Sequence, residues 1–412
     1  MHKRKVFALK EFAMSAPALA NPAAATPGRL PPRAAFALVV TLVITFLAAS
    51  SAPSPLYALY REAWGFSALV LTVIFSSYAF ALLAALLVFG ALSDHLGRRA
   101  VILAALVLEI GAIVLFWQAG SVGWLIAARV LQGVATGMAT SVLSATLLDL
   151  NPSRGALFNG LSPMIGMGVG ALGASALVQF APHPMHLVYE VLLVVLVLQA
   201  LLALRLPATV TPRPGAWASM VPRAHVPPAA RTLVLRLMPF NTAGWALGGF
   251  YLSLGPSLAR LVTGRATPLA GGALIATLVL TGAVAIYVVR QRPARRVLRA
   301  SAALLGAGLV ITLLGVHVQQ AALFFGGTVV AGMGFGGGFN AAVRLLVPAA
   351  TPHERAGLMS SFFVLSYLAF SVPAILAGLS VGAFGLHATT LGYGLVLLVL
   401  AVLAWVTARE RT

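Results

Sequence analysis

Two ionisable residues of this chain fall deep inside apolar runs, and their chemistry sets the terms for the rest. Glu109 lies in the run 101–118 and Arg129 in the run 122–147, joined by a turn near residues 119–120. As helices these runs place the two groups almost level, each roughly 10–15 Å from the turn at ~1.5 Å per residue. A carboxylate taken out of water favours its protonated form, whereas a level arginine favours the ionised one. Separation and re-pairing of the two would let the acid take up and release a proton, tying solute movement to a proton gradient. The alternative is a structural pair in which Glu109 only neutralises Arg129. An arginine at this depth costs about 2.5–3.5 kcal/mol on insertion scales, so it faces protein or water, not lipid. Gln132, Gly133, Thr136, Gly137, Thr140, Ser141 and Ser144 follow it at helical spacing on a single polar and small face. Such a face lines a solute path, or packs closely on another helix with the arginine satisfied by carbonyls.

Other chemistries find little footing. Cysteine is absent, which removes disulfides, thiolate nucleophiles and cysteine metal sites. The histidines (His2, His95, His183, His186, His225, His317, His353 and His387) lie mostly in loops or at the ends of apolar runs, without metal-ligand spacing. No phosphate-binding Walker sequence occurs, so ATP hydrolysis by this chain is not expected. The expectation is therefore no enzyme, no metal and no cofactor.

The elements that must carry these residues are membrane spans. The 412 residues are 60% hydrophobic and only 8% charged, against roughly 25% charged in a soluble domain. The formal charge of +19 does not point to nucleic acid, because the basic residues sit in short loops between apolar runs. We read twelve spans, at 34–54, 68–90, 101–118, 122–147, 157–180, 187–206, 233–254, 267–289, 299–316, 320–346, 357–380 and 388–408. All 27 lysines and arginines fall on one side of these spans except Arg61, Arg129, Arg260 and Arg265. That side is expected to be cytoplasmic, with both termini. Residues 1–33 read as a disordered cytoplasmic tail, without the apolar core of a cleaved signal peptide. The Pro- and Arg-rich stretch 207–232 reads as a cytoplasmic linker between bundles 34–206 and 233–408, with 409–412 a short tail. The halves repeat at an offset near 200: Gly133 and Gly137 match Gly332 and Gly336, and Arg154 matches Arg355. Arg98 and Arg99 match Arg295 and Arg296, although Tyr287 and Gln291 stand where the first copy has Gly90 and Asp94.

The turn Gly90–Arg99 is the most informative stretch. Gly90 and Gly97 lack a Cβ, so helix ends can approach and the chain can turn with positive φ. Asp94 precedes the next helix, where its charge meets the positive end of the dipole. Arg98 and Arg99 pin the turn to the basic side. The pattern Gly-x-Leu-x-Asp-x-x-Gly-Arg-Arg over Gly90–Arg99 resembles the signature loop of the major facilitator superfamily, with His95 where Arg is usual. The segment Leu125–Gly137 is similar to that family's fourth-helix arginine motif. Gly166, Gly170 and Gly173, with Pro163 and Asn159, resemble in part the fifth-helix element of drug:proton antiporters, with Ala171 in place of its Pro.

The resemblance implies an all-α integral membrane fold of the twelve-helix bacterial type. Its two pseudo-symmetric six-helix bundles are parallel repeats, with solute bound between them near the midplane. It implies a cytoplasmic latch of Gly90, Asp94, Gly97, Arg98, Arg99 and Asp149, with Asp94 also facing the start of the eleventh span near Arg355–Met359. The substrate and proton pathway would then draw on Glu109, Arg129, Gln132, Thr136, Asn241, Trp245 and Asn340. Pro53, Pro55, Tyr57, Tyr60 and Trp64 form an aromatic mouth on the far side, either a gate or an interfacial belt. The function expected is secondary active transport of a small organic solute by alternating access, in the form of proton-coupled efflux. The rivals are an uptake symporter and a non-transporting sensor with a transporter fold. A monomer in a bacterial inner membrane is expected, with protons, lipid and the solute as partners. Arg129 in the cavity would favour a neutral or anionic amphipath over a dication.

Overall fold

A computed structural model describes residues 29–222, 224–264, 267–351 and 353–408. Residues 1–28 and 409–412, which hold most of the two expected tails, lie outside the described residues. Among the described residues the regular elements are helices, with no strand. The first half holds α1 (Pro32–Ser51), α2 (Pro53–Trp64), α3 (Ala68–Phe89), α4 (Leu92–Leu96), α5 (Arg98–Trp117), α6 (Val122–Leu150), α7 (Pro152–Phe180) and α8 (Pro184–Ala203). A short α9 (Ala216–Ser219) lies in the linker. The second half holds α10 (Pro228–Ser253), α11 (Gly255–Thr263), α12 (Pro268–Val289), α13 (Ala294–His317), α14 (Ala321–Leu346) and α15 (Arg355–Thr407).

Among the described residues ten helical stretches are long and apolar enough to cross a membrane, α1 and α2 counting as one. The expected seventh span, α10, is not among them, because Arg231, Arg236, Pro239, Asn241 and its glycines dilute its apolar residues. Helix α15 runs for 53 residues. Straight, it would be about 80 Å long against a hydrocarbon core of ~30 Å. It breaks instead at Gly385, whose φ of 78° and ψ of 163° leave the helical region between the two spans expected there.

The internal repeat has a packing cause. A Cβ on Gly133 would stand 2.3 Å from the Tyr78 carbonyl oxygen, and one on Gly137 2.6 Å from that of Leu82, so α6 lies directly on α3. In the second half a Cβ on Gly332 would stand 2.4 Å from the Leu278 oxygen, and one on Gly336 2.4 Å from that of Gly282, so α14 lies likewise on α12. Without a hydrophobic effect between helices in lipid, such backbone approach is what holds neighbours together. Gly166 and Gly170 do the same for α7 on α1, whereas Gly173 has open space. The two halves meet along α7 against α12 and α3 against the first part of α15, where Ser76 Oγ donates to the Ser371 carbonyl at 3.3 Å.

Both described ends lie beside the linker. Leu30 N–H bonds the Arg205 carbonyl at 2.9 Å, and Thr407 Oγ1 bonds that of Arg236 at 3.2 Å. In the Gly90–Arg99 turn only Gly97 takes positive φ, at 89°. Gly90 is helical, at φ −55°, so the expectation of a left-handed turn fails there. Its missing Cβ matters for another reason, since one would stand 2.6 Å from the Leu86 oxygen.

Candidate functional site

Three groups of residues matter, and α6 touches each of them. The first is a buried polar network. Arg129 is fully buried, and its guanidinium donates to Tyr57 Oη at 2.6 Å, the Ser50 carbonyl at 2.8 Å and Gln132 Oε1 at 2.8 Å. Gln132 Nε2 passes the chain on, donating to Glu109 Oε1 at 3.0 Å and to the Ala49 carbonyl at 3.1 Å. Rings of Tyr57, Tyr78 and Phe116 surround the guanidinium carbon, their centroids 5.4–5.6 Å away. The cation is therefore held by oxygens and π faces in the interior, as its cost in lipid demands. Glu109 and Arg129 are level, but the amide of Gln132 stands between them in place of a direct ion pair. Arg129 Nη2 and Glu109 Oε2 have no partner.

The second is a cavity of about 340 Å³ between the halves. It is lined by Ser50, Tyr78, Thr140, Ser144, Asn159, Trp245, Asn340 and Tyr367 among apolar and aromatic neighbours. Trp245 and Asn340 line this cavity. Asn241 does not, since it is buried beside α15 with its Oδ1 accepting from Ser366 Oγ at 3.1 Å. Glu109, Arg129, Gln132 and Thr136 are not in the lining either. They lie behind Ser50 and Tyr78, one layer from the cavity. The connection is Tyr78, which lines the cavity and approaches Thr136, while Thr136 in turn approaches Glu109. Thr136 Oγ1 has no hydrogen bond of ordinary geometry to either.

On α6, α7 and α14 the cavity lining is drawn from Ala139–Ser144, Ala156–Met167 and Phe335–Val343, nearer the basic face, and on α1 and α10 from Val43–Ser50 and Trp245–Leu252, nearer the opposite one. At the opposite face the halves are tied by Arg260 Nη1 to Glu62 Oε1 at 2.9 Å and by Leu269 N–H to Gln179 Oε1 at 3.2 Å. The aromatic mouth expected there is an interior cluster. Tyr57 and Tyr60 are each 1% exposed, Tyr60 bonds Tyr189 at 3.1 Å, and Trp64 stacks on Tyr60.

The third is the Gly90–Arg99 turn with Asp149, where a latch is expected. Arg98 pairs with Asp94 at 2.5 Å and with Asp149 at 3.0 Å, and donates to Ser93 Oγ at 2.6 Å. Arg99 reaches the Leu204 carbonyl at 3.4 Å. Among the described residues Asp94 has no ion pair or hydrogen bond to Arg355–Met359. The linker covers the turn instead, with Thr209 Oγ1 on Asp149 at 3.0 Å, Arg213 N–H on the His95 carbonyl at 3.0 Å and the Pro214 carbonyl on His95 Nδ1 at 3.0 Å. The linker's far end joins the other half, His225 N–H bonding the Gly357 carbonyl at 3.2 Å. His95, the departure from the family pattern, is thus the linker's seat.

Comparison with known proteins bears on this geometry. The profile of the Major Facilitator Superfamily matches residues 38–292. The nucleoside transporter NupG, by its crystal structure, is similar in fold at a TM-score of 0.69 and 12% identity, covering 90% of this chain and 99% of its own. The human organic anion transporter MFSD10 (TETRAN) is similar at a TM-score of 0.64 and 18% identity, covering 91% and 100%. Compared by sequence with proteins of curated function, the chain matches none.

Proposed function

The chain belongs to the Major Facilitator Superfamily, and from that premise we propose that this membrane transporter works by secondary active transport, exporting a small organic solute in exchange for protons. The observation that carries the reading is the cavity shared by both halves, with a buried acid one layer behind its wall. In such folds the two repeats rock about a fixed site near the midplane. The basic face is the cytoplasmic one of a bacterial inner membrane by the positive-inside rule. The bonds Glu62–Arg260 and Gln179–Leu269 then close the outer side, and the conformation is inward-facing. An Asp94 without a partner on α15 fits that state, since the latch would close only when the cytoplasmic side does. The chain acts as a monomer.

Glu109 is the proton carrier in this reading. Its carboxyl holds a bond from Gln132 on one oxygen and none on the other. Proton entry runs from the cavity through the Tyr78 and Thr136 hydroxyls. Loss of the proton leaves an ionised carboxylate that the Gln132–Arg129 chain stabilises. Export in preference to uptake rests on the likeness of the Gly166–Gly173 element to antiporters. The relatives named above carry different solutes on one fold, so substrate is argued from the site alone.

The test uses Glu109→Gln in proteoliposomes with an imposed pH gradient. Gradient-driven flux should vanish while solute exchange without a gradient persists. Gradient-driven flux at the normal rate would end the assignment of Glu109. In the unaltered protein, solute moving in the same direction as the protons would overturn export in favour of symport.

A further inference from the structure

We propose that the cavity takes an uncharged aromatic solute bearing a hydrogen-bond acceptor, to which Trp245 Nε1–H donates, and a donor, from which Asn159 Oδ1 accepts. The proposal deepens the transporter reading and rests on it. None of the described lining residues is Asp, Glu, Lys, Arg or His. A charged solute would leave its hydration shell for a low-dielectric space with no counter-charge, a loss that the surrounding π faces do not make good. The buried cation Arg129 is not in the lining and is bonded to Tyr57, Ser50 and Gln132 behind the wall.

The walls are shaped for rings. Trp245 packs edge-on against Tyr367, Phe339 and Phe370 at 4.9, 5.5 and 5.8 Å between centroids, and Phe75 lies 5.0 Å from Phe370 across the interface between halves. A volume of about 340 Å³ is at the low end of ligand pockets, room for about one or two rings. Two polar atoms in this wall are buried without a partner, Trp245 Nε1 and Asn159 Oδ1. The Asn159 amide is oriented by its other end, where Nδ2 donates to the Ser144 carbonyl at 3.2 Å. Trp245 is on α10 and Asn159 on α7, so one unpartnered donor and one unpartnered acceptor lie within the wall on opposite halves, where a small turn of either side chain would bring them to a solute. Buried polar atoms without partners discriminate strongly for solutes that satisfy them. A primary amide on an aromatic ring has both complements in one neutral group, and in bridging the halves it would sense their rocking.

The experiment measures equilibrium binding to the full chain in lipid nanodiscs, corrected for empty nanodiscs, with four near-isosteric probes. These are β-naphthamide (neutral, donor and acceptor), β-naphthoate (anion), β-naphthamidine (cation) and β-isopropylnaphthalene (apolar). The amide should bind saturably and at least about tenfold more tightly than either ion, and Trp245→Phe should weaken it by about tenfold, the scale of one hydrogen bond. The same variant should leave the hydrocarbon unchanged. No saturable binding of the amide, equal binding of an ion, or equal weakening of amide and hydrocarbon would overturn the proposal. The ranking of probes on the unaltered chain decides even if the variant fails to fold. Because binding is read without flux, amide that binds but is never moved would overturn the transporter reading and spare the site.

Discussion

In the proposed reading Tyr78 is the residue on which coupling and binding converge. Its ring lies 5.4 Å from the Arg129 guanidinium carbon, while the same side chain lines the cavity. Tyr78→Phe keeps the ring and removes only the hydroxyl. We expect folded protein and unchanged β-naphthamide binding, with gradient-driven flux reduced about a hundredfold, the low end for a positioned proton-transfer group. Flux at the normal rate in proteoliposomes would remove Tyr78 from the proton route. Counting residues from the turn at 119–120 was enough to find Glu109 and Arg129 at one depth. It was not enough to find the amide between them, because periodicity gives a face and a height but no side-chain direction. The i, i+3 spacing of Arg129 and Gln132 was the available clue, since such residues are neighbours on a helix. Tyr78 left no trace of its role, being one polar tip in an apolar run. The same limit put Asn241 in the cavity, when its amide is engaged by Ser366 on α15.

At the scale of elements, the glycine repeat was legible and its meaning was packing. Gly133→Ala and Gly332→Ala each force a Cβ to 2.3–2.4 Å from a carbonyl oxygen of the neighbouring helix. Each should lower stability by about 1–3 kcal/mol, the usual cost of overpacking, seen as a lower melting temperature in detergent. Gly173→Ala, with nothing within 4 Å, should leave stability unchanged or raise it by about 0.4–1 kcal/mol. Equal losses at all three positions would show that the close approach of α6 to α3 and of α14 to α12 is not what these glycines secure. Helix α10 was read as a span at 233–254, although Arg236, Pro239 and Asn241 leave it less apolar than its neighbours. The break in α15 was placed correctly between 380 and 388, since Gly385 is the glycine that permits φ of 78° there.

For the whole molecule the question is how the two faces alternate. Thr140→Cys places a thiol in the cavity of a chain that has no other. Adding Asp94→Asn should increase labelling of that thiol from the basic face, because the latch closes that face in the opposite state. Partly buried charges at a helix start are worth up to ~2 kcal/mol, enough to change a balanced equilibrium about thirtyfold. Labelling and transport both unchanged would dismiss the latch. The linker is bonded to both halves. Its first part, Thr209 to Pro214, is bonded to the first half, and His225 is bonded to the second. The stretch between them carries no bond from one half to the other among the described residues. In genetic terms the protein is two complementary fragments written as one reading frame. A gene cut after Met220 gives each fragment its own share of the linker's bonds, and co-expression of the two should restore transport. Recovery of both fragments in the membrane without flux would mean that the covalent join itself sets the register of the halves.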